Sequence, residues 1–254
     1  MVTEDLFTVA ILQARMSSSR LPGKVMMLIN NEPMIYRQIE RIRQASAIDE
    51  VIVATSTDPS DDSLVEFLLD KGIEVFRGSL NDVLSRFSEI QKVIKSTAII
   101  RLTGDCPLVM PELIDRMIAK FYETNVDYLS NTLEPTYPDG LDVEIIRPSV
   151  FGKLAALDLN DTEREHVTLG IYSRPEIFEL ENFRCDEDLS QRRWTVDYLE
   201  DLEFVRRVFT EFMGRESTFT FEDTMLFLAS EPDLKSAISA DRRNEQLGGK
   251  EIGE

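Results

Sequence analysis

Cysteine and histidine are nearly missing from this 254-residue chain, which has only Cys106, Cys185 and His166. Two cysteines without a CxxC pair exclude a disulfide framework, and a lone histidine excludes a Cys/His zinc centre. Free thiols suit a reducing compartment. No apolar run approaches the ~20 residues that a membrane-spanning helix needs. The opening Met1-Val2-Thr3-Glu4-Asp5 has neither the basic nor the apolar region of a secretory leader. A cytoplasmic protein without a membrane partner is therefore expected. There is no GxSxG elbow, which argues against nucleophilic hydrolysis. There is also no Walker loop, because Gly23-Lys24 is followed by Val25 and lacks the earlier glycine. Internal repeats and low-complexity tracts are lacking too.

Positive charge is scarce. Lys and Arg number 28 against 47 Asp and Glu, and the net charge is -19. Such a surface repels nucleic acid, so no nucleic-acid partner is expected. One window inverts the balance. Residues 7–31 hold no acid, yet they contain Arg15, Arg20 and Lys24, three serines and a Pro-Gly turn. This cluster directly follows the apolar run 7–12 and suits a polyanion such as a nucleoside triphosphate. A solvated basic loop is the alternative.

Short apolar runs without clean alternation, at 7–12, 50–55, 73–76, 97–102 and 127–130, read as strands buried on both faces. Helical patterns lie between them. One begins at Pro33, placed as a first-turn proline, a second at Pro59, and two more cover 81–95 and 111–122. The β-α alternation predicts an α/β fold, with a mostly parallel sheet covered by helices on both faces. Beyond it, 134–143 reads as loop, 142–146 as a strand, 148–157 and 162–171 as helices, and 178–184 as a strand. Asp197 opens a strong helix, and short helices follow at 221–229 and 233–238. A single domain over 1–240 is expected, followed by a polar tail at 241–254.

In open α/β sheets, ligands bind beyond the carboxyl ends of the strands. Arg15, Arg20 and Lys24 fall at such an end. So do Arg77-Gly78-Ser79, and Thr103-Gly104-Asp105-Cys106-Pro107 after the run 98–102. Asp105 is a candidate metal ligand, since Mg²⁺ takes one or two carboxylates plus substrate oxygens; a simple Asx turn is the alternative. Asp197, in Arg193-Trp194-Thr195-Val196-Asp197, is the second candidate, and its alternative is a capping box with Glu200. In Tyr137-Pro138-Asp139-Gly140-Leu141-Asp142-Val143-Glu144, Asp142 and Glu144 either face solvent or bond sugar hydroxyls. His166 either packs on a helix face or touches substrate. Trp194, the one tryptophan, belongs in the core.

Taken together, Ala14-Arg15-Met16-Ser17-Ser18-Ser19-Arg20-Leu21-Pro22-Gly23-Lys24, Arg77-Gly78-Ser79 with Asp82-Val83-Leu84-Ser85-Arg86, the Asp105 motif, the 137–144 motif, Arg164-Glu165-His166-Val167-Thr168 and the Asp197 motif resemble the sugar cytidylyltransferases, in the order they occur there. That family includes the CMP-ketodeoxyoctonate and CMP-sialate synthetases. The likeness is greatest to its spore-coat polysaccharide branch, often called SpsF-type, and covers about residues 7–212. It implies a Rossmann-like nucleotidyltransferase fold, a homodimer, CTP and a sugar as substrates, Mg²⁺, and release of pyrophosphate. By the same resemblance Arg15, Arg20 and Lys24 hold the triphosphate, and Asp105 and Asp197 the metal. Arg15, Lys24 and Asp105 are then the expected catalytic residues, Ser17, Arg77, Ser79 and Thr103 the further nucleotide contacts expected from their place in the motifs, and Asp142, Glu144, Arg164 and His166 the expected sugar contacts. Gln usually stands at the Thr103 position in ketodeoxyoctonate synthetases. Two rival readings are a glycosyltransferase that consumes a nucleotide sugar, and a non-catalytic module that binds a nucleotide or a partner.

Overall fold

The computed structural model describes residues 6–232 and 234. The expected helix at 233–238 and the tail at 241–254 lie outside the described residues.

Seven strands form one sheet: β1 (Thr8–Gln13), β4 (Glu50–Ser56), β5 (Glu74–Gly78), β6 (Ala98–Thr103), β7 (Tyr128–Ser130), β8 (Glu144–Ile146) and β9 (Leu180–Asn182). Their order is β5-β4-β1-β6-β8-β7-β9, and two very short strands, β2 (Leu28–Ile29) and β3 (Glu32–Pro33), make a separate hairpin. β5, β4, β1 and β6 run parallel; β8 is antiparallel to both β6 and β7, and β7 is parallel to β9. This is the mostly parallel, mixed sheet that the β-α alternation predicts.

Side chains alternate across each strand, so each central strand feeds two cores. Ala10, Leu12, Val53, Ile100 and Leu102 face one core. It is completed by the apolar faces of α1 (Met34–Ile42), α2 (Asp62–Asp70), α4 (Pro111–Thr124), α8 (Leu199–Glu211) and α9 (Phe221–Ser230). Val9, Ile11, Ile52 and Ile99 face the other, against α3 (Val83–Val93), α5 (Ser149–Ala155) and α7 (Leu169–Tyr172). Trp194 is fully buried and packs 5.8 Å from the Phe221 ring.

Three local readings are corrected. Pro33 stands at the N-cap of α1 and pairs with Leu28, one residue earlier than a first-turn proline. The helix expected at 162–171 is two pieces, α6 (Asp161–Glu165) and α7, because Val167 has φ 47°. A β-branched residue rarely adopts that conformation, and tertiary burial of its side chain holds it there. Finally, α8 is not capped by an Asp197–Glu200 box. Asp201 accepts from the backbone N–H groups of Asp197 and Tyr198, both at 2.9 Å, which leaves the Asp197 side chain for other work.

Candidate active site

After β1 the chain crosses to β4 on one side, and β6 joins β1 on the other. The carboxyl ends of β1 and β6 therefore form the topological switch point where such sheets bind ligands. An open cleft lies there, lined by residues that include Gln13, Arg15, Ser18, Lys24, Asp105 and His166. Two features let the loops meet. The Gly104 N–H donates to the Gln13 carbonyl at 2.8 Å, and a Cβ on Gly104 would sit only 3.0 Å from that of Ala14.

The loop after β1 is tied down from β4. Asp61 accepts from the Met16 N–H at 2.7 Å, from the Thr55 hydroxyl at 2.8 Å and from the Ser56 N–H at 3.0 Å. Burial raises the Asp61 carboxyl and these donors outweigh it, so its pKa falls below the ordinary value. Gly23, at φ 71°, turns the loop into a short 3₁₀ turn (Lys24–Met26) that directs Lys24 inward.

Lys24 is the centre of the site. Its Nζ donates to Asp105 at 3.1 Å, to Asp197 at 3.0 Å and to the Val196 carbonyl at 2.7 Å. Burial lowers the Lys24 ammonium, but the two carboxylates overcome it and leave its pKa above the ordinary value. Asp105 is correspondingly depressed, with burial opposing and Lys24 prevailing. Asp197 is held far below the usual carboxylate range: burial raises it, while Lys24, Arg20 and Arg193 outweigh that. Arg20 reaches Asp197 at 2.6 Å and lies over the Tyr198 ring. The side chain of Asp197 is only 10% exposed, whereas that of Asp105 is 30% exposed. Asp105 is therefore the carboxylate that a ligand in the cleft meets.

A second seam carries Asp197 to this place. Asp139 and Arg193 form a parallel bridge: the Asp139 N–H donates to Arg192 at 2.9 Å, and the Trp194 N–H donates to Asp139 at 2.6 Å. The buried Arg193 guanidinium donates to Asp139 at 2.8 Å, to Asp197 at 2.7 Å and to Asp201 at 3.4 Å. The Val196 N–H then donates to the Asp105 carbonyl at 2.8 Å. Neither the Asx turn nor the helix cap describes the two aspartates. They share one ammonium.

Among the described residues no group of three or more His, Cys, Asp or Glu side chains stands ready for a metal. The donors that do meet are two carboxylates and a carbonyl, gathered around the positive charge of Lys24. Such hard oxygen donors suit a divalent cation of the Mg²⁺ type.

Other expected residues fall elsewhere. Arg77 donates to the carbonyls of Ser56 and Asp58 and to Asp62, and it does not line the cleft. Ser79 is exposed and its hydroxyl accepts from the Asp82 N–H. Ser17 is exposed, while Ser18 and Ser19 line the cleft. Thr103 lines it, with its hydroxyl 3.3 Å from Cys106 Sγ. Arg164 ties α6 to the start of α3 through Asp82 at 3.0 Å and leaves the cleft to His166. Glu144 is buried, paired with its cross-strand partner Arg101 and accepting from the Tyr128 hydroxyl. Arg101, not Glu144, reaches the cleft. Asp142 lies near enough to Cys106 to add to the rise that burial imposes on that thiol. Arg86 and Arg101 also line the cleft. Their signal in the sequence is a cation inside an otherwise apolar helical or strand run.

The family model described as Cytidylyltransferase matches residues 9–232. The chain is 32% identical over 238 residues to the spore coat polysaccharide biosynthesis protein SpsF of Bacillus subtilis, across 91% of this chain and 98% of that one. A cytidylyltransferase structure from Leptospira borgpetersenii, 29% identical, superposes with a TM-score of 0.86 over 91% of this chain and 98% of that chain. CMP:2-keto-3-deoxy-manno-octonic acid synthetase complexed with CTP shares the fold at 19% identity and a TM-score of 0.62, over 81% of this chain and 99% of that chain. No helix among the described residues is long and apolar enough to cross a membrane. With its mixed sheet, its cationic loop at the switch point and a family match over nearly its whole length, the chain belongs to the cytidylyltransferase family.

Proposed function

We propose that the protein couples CTP to a sugar, releases pyrophosphate, and so supplies an activated sugar for a surface polysaccharide or glycoconjugate. The observation that carries this is the convergence of Lys24, Asp105, Asp197 and Arg20 beside the acid-free loop at the β1/β6 switch point. The likeness to a spore-coat polysaccharide protein supports the sugar.

In this reading Arg15, Arg20 and Lys24 hold the triphosphate, and Ser18 and Ser19 line its loop. An acceptor oxygen attacks the α-phosphorus in line and pyrophosphate departs. Asp105 and Asp197 would hold Mg²⁺, which supplies charge neutralisation at the α-phosphate when bound. Lys24 and the arginines stabilise charge on the departing pyrophosphate. Catalysis of this kind is positioning plus fixed electrostatics and needs no covalent enzyme intermediate.

The test is pyrophosphate release from CTP and Mg²⁺ with ulosonic acids in one arm and sugar phosphates in the other. Lys24→Ala and Asp105→Ala should each lose about 3 kcal/mol of transition-state stabilisation, on the order of 10²-fold in rate, while remaining folded. Full activity in either variant refutes the assignment. CTP binding without turnover by the wild type leaves a binding module instead.

A further inference from the structure

The attacking oxygen poses a chemical question that the triphosphate site leaves open. A sugar phosphate arrives already ionised, but a sugar hydroxyl must give up its proton as the new bond forms. Of the titratable side chains lining the cleft, almost all are unable to take it. Arg15, Arg86 and Arg101 are guanidinium groups. Lys24 is held as the ammonium by two carboxylates, and Asp105 is held as a weak base by Lys24. Glu165 is paired with Arg15 at 3.6 Å.

His166 remains. It is half-buried and lines the cleft that holds Asp105 and Lys24. Neither of its ring nitrogens has a hydrogen-bond partner among the described residues, so the imidazole lone pair is available to a ligand. Its backbone is fixed on all sides. Asn160 and Glu163 cap α6 reciprocally, and Arg174 grips Glu163 at 2.6 Å. The His166 N–H donates to Thr162 at 2.9 Å, and the buried Val167 at φ 47° turns the chain immediately after it. A sparsely populated conformation at a β-branched residue beside a cleft is the kind of strain that positions functional groups. The charges that act on the ring are Glu165 at the end of the preceding helix, Arg101 of β6 and Arg15 of the β1 loop, while Asp105, Lys24 and Arg86 line the same cleft. Burial lowers the imidazole below its ordinary 6.5, aided by Arg101 and Arg15 and opposed by Glu165. It is therefore neutral near pH 7, as a proton acceptor must be.

We propose that His166 is the general base of the transfer, taking the proton of an acceptor hydroxyl. This rests on the cytidylyltransferase reading above and adds a catalytic residue to it. The hydroxyl proton passes to the free imidazole nitrogen as the sugar oxygen bonds to the α-phosphorus. The bond from that phosphorus to the bridging oxygen breaks, and its electron pair leaves on pyrophosphate. The imidazolium then returns its proton to water.

His166 is the only histidine in the chain, so in tag-free protein its NMR resonances need no assignment. The wild type should titrate with a midpoint below 6.5, and Mg²⁺ with CTP should shift the resonance. In the pyrophosphate assay, 3-deoxy-manno-octulosonate and a hexose 1-phosphate serve as the hydroxyl and phosphate arms. The hydroxyl arm alone should react. His166→Gln should lower kcat by about 10²–10⁴-fold, leave KM for CTP unchanged, and abolish the acid limb of the kcat profile. Retention of rate and acid limb in His166→Gln overturns the inference, as does turnover of the phosphate arm. If the wild type turns over neither arm, the proposed function fails and the general-base role falls with it. If it turns over the hydroxyl arm while His166→Gln keeps its rate, the function stands and only the role of His166 is overturned, as it is by a resonance indifferent to Mg²⁺ with CTP.

Discussion

Gly140 is the most exposed structural wager in the site. It has φ 107°, and a Cβ built on it would lie 2.4 Å from the Thr195 nitrogen and 2.5 Å from the Trp194 carbonyl carbon. Real Cβ contacts essentially never fall under 3.0 Å, so the two backbones must part by at least 3.0 minus 2.4, or 0.6 Å. Both contacts are backbone, and no side chain can rotate away. The seam is also clamped from both sides by the Asp139–Arg192 and Trp194–Asp139 hydrogen bonds. Gly140→Ala therefore combines backbone strain with overpacking and should cost about 2–5 kcal/mol. For a chain of this size that lowers Tm by on the order of 10 °C. The same displacement pulls Val196 from the Asp105 carbonyl and Asp197 from Lys24. Pyrophosphate release should fall together with stability. The assay is thermal unfolding of wild type and variant, followed by activity well below the variant's Tm. Wild-type Tm and activity in Gly140→Ala would refute the claim that this seam carries Asp197 into the site.

Further predictions concern charge. Glu144→Ala leaves the Arg101 guanidinium facing the Tyr128 hydroxyl without its carboxylate, and should destabilise by about 3–5 kcal/mol. Urea unfolding should show Arg101→Met recovering part of that loss in the double variant, and an additive double variant would contradict the pairing. Arg77→Ala should cost at most ~1 kcal/mol as a partly exposed ion pair and should leave pyrophosphate release intact. A large loss of activity would restore Arg77 to the nucleotide site. The pKa of Asp197 is lower in the folded than in the unfolded chain, so its contribution is present above its ordinary 3.8 and is lost as pH falls through the folded value. Lys24 has the opposite sign: its contribution is present below 10.5 and is lost as pH rises through its raised folded value. The stability gap between wild type and Asp197→Asn, followed by thermal unfolding, should accordingly close as pH is taken below 3.8. A gap that widens there would contradict the network.

The strand runs, the helical faces and the cationic loop were legible in the sequence because each is a local pattern. Runs such as 50–55 and 98–102 follow from burial on both faces, and the acid-free window stands out against a net charge of -19. The partnership at the centre was not local. Lys24 and the Val196 carbonyl stand 172 positions apart, and no periodicity announces such a contact. Short motifs misled where two uses of one residue look alike. Asp197 followed by Glu200 has the spacing of a cap, yet Asp201 does the capping and frees Asp197 for Lys24, Arg20 and Arg193. Arg77 beside Gly78 and Ser79 looked like a ligand-binding turn, but its guanidinium closes the β4 end instead. Val167 has strong strand and helix alternatives, and only its buried tertiary environment holds it at positive φ. Asp61 gave no sign beyond its place after β4, although it fixes the loop that bears Arg15.

The most direct measurement is a double-mutant cycle on Mn²⁺ affinity in the presence of CTP, read by electron paramagnetic resonance for wild type, Asp105→Asn, Asp197→Asn and the double variant. If the two carboxylates serve one metal–triphosphate centre, either single change should remove most of the affinity and the second should add little. Independent, additive losses, or wild-type affinity in either single variant, would contradict a shared centre.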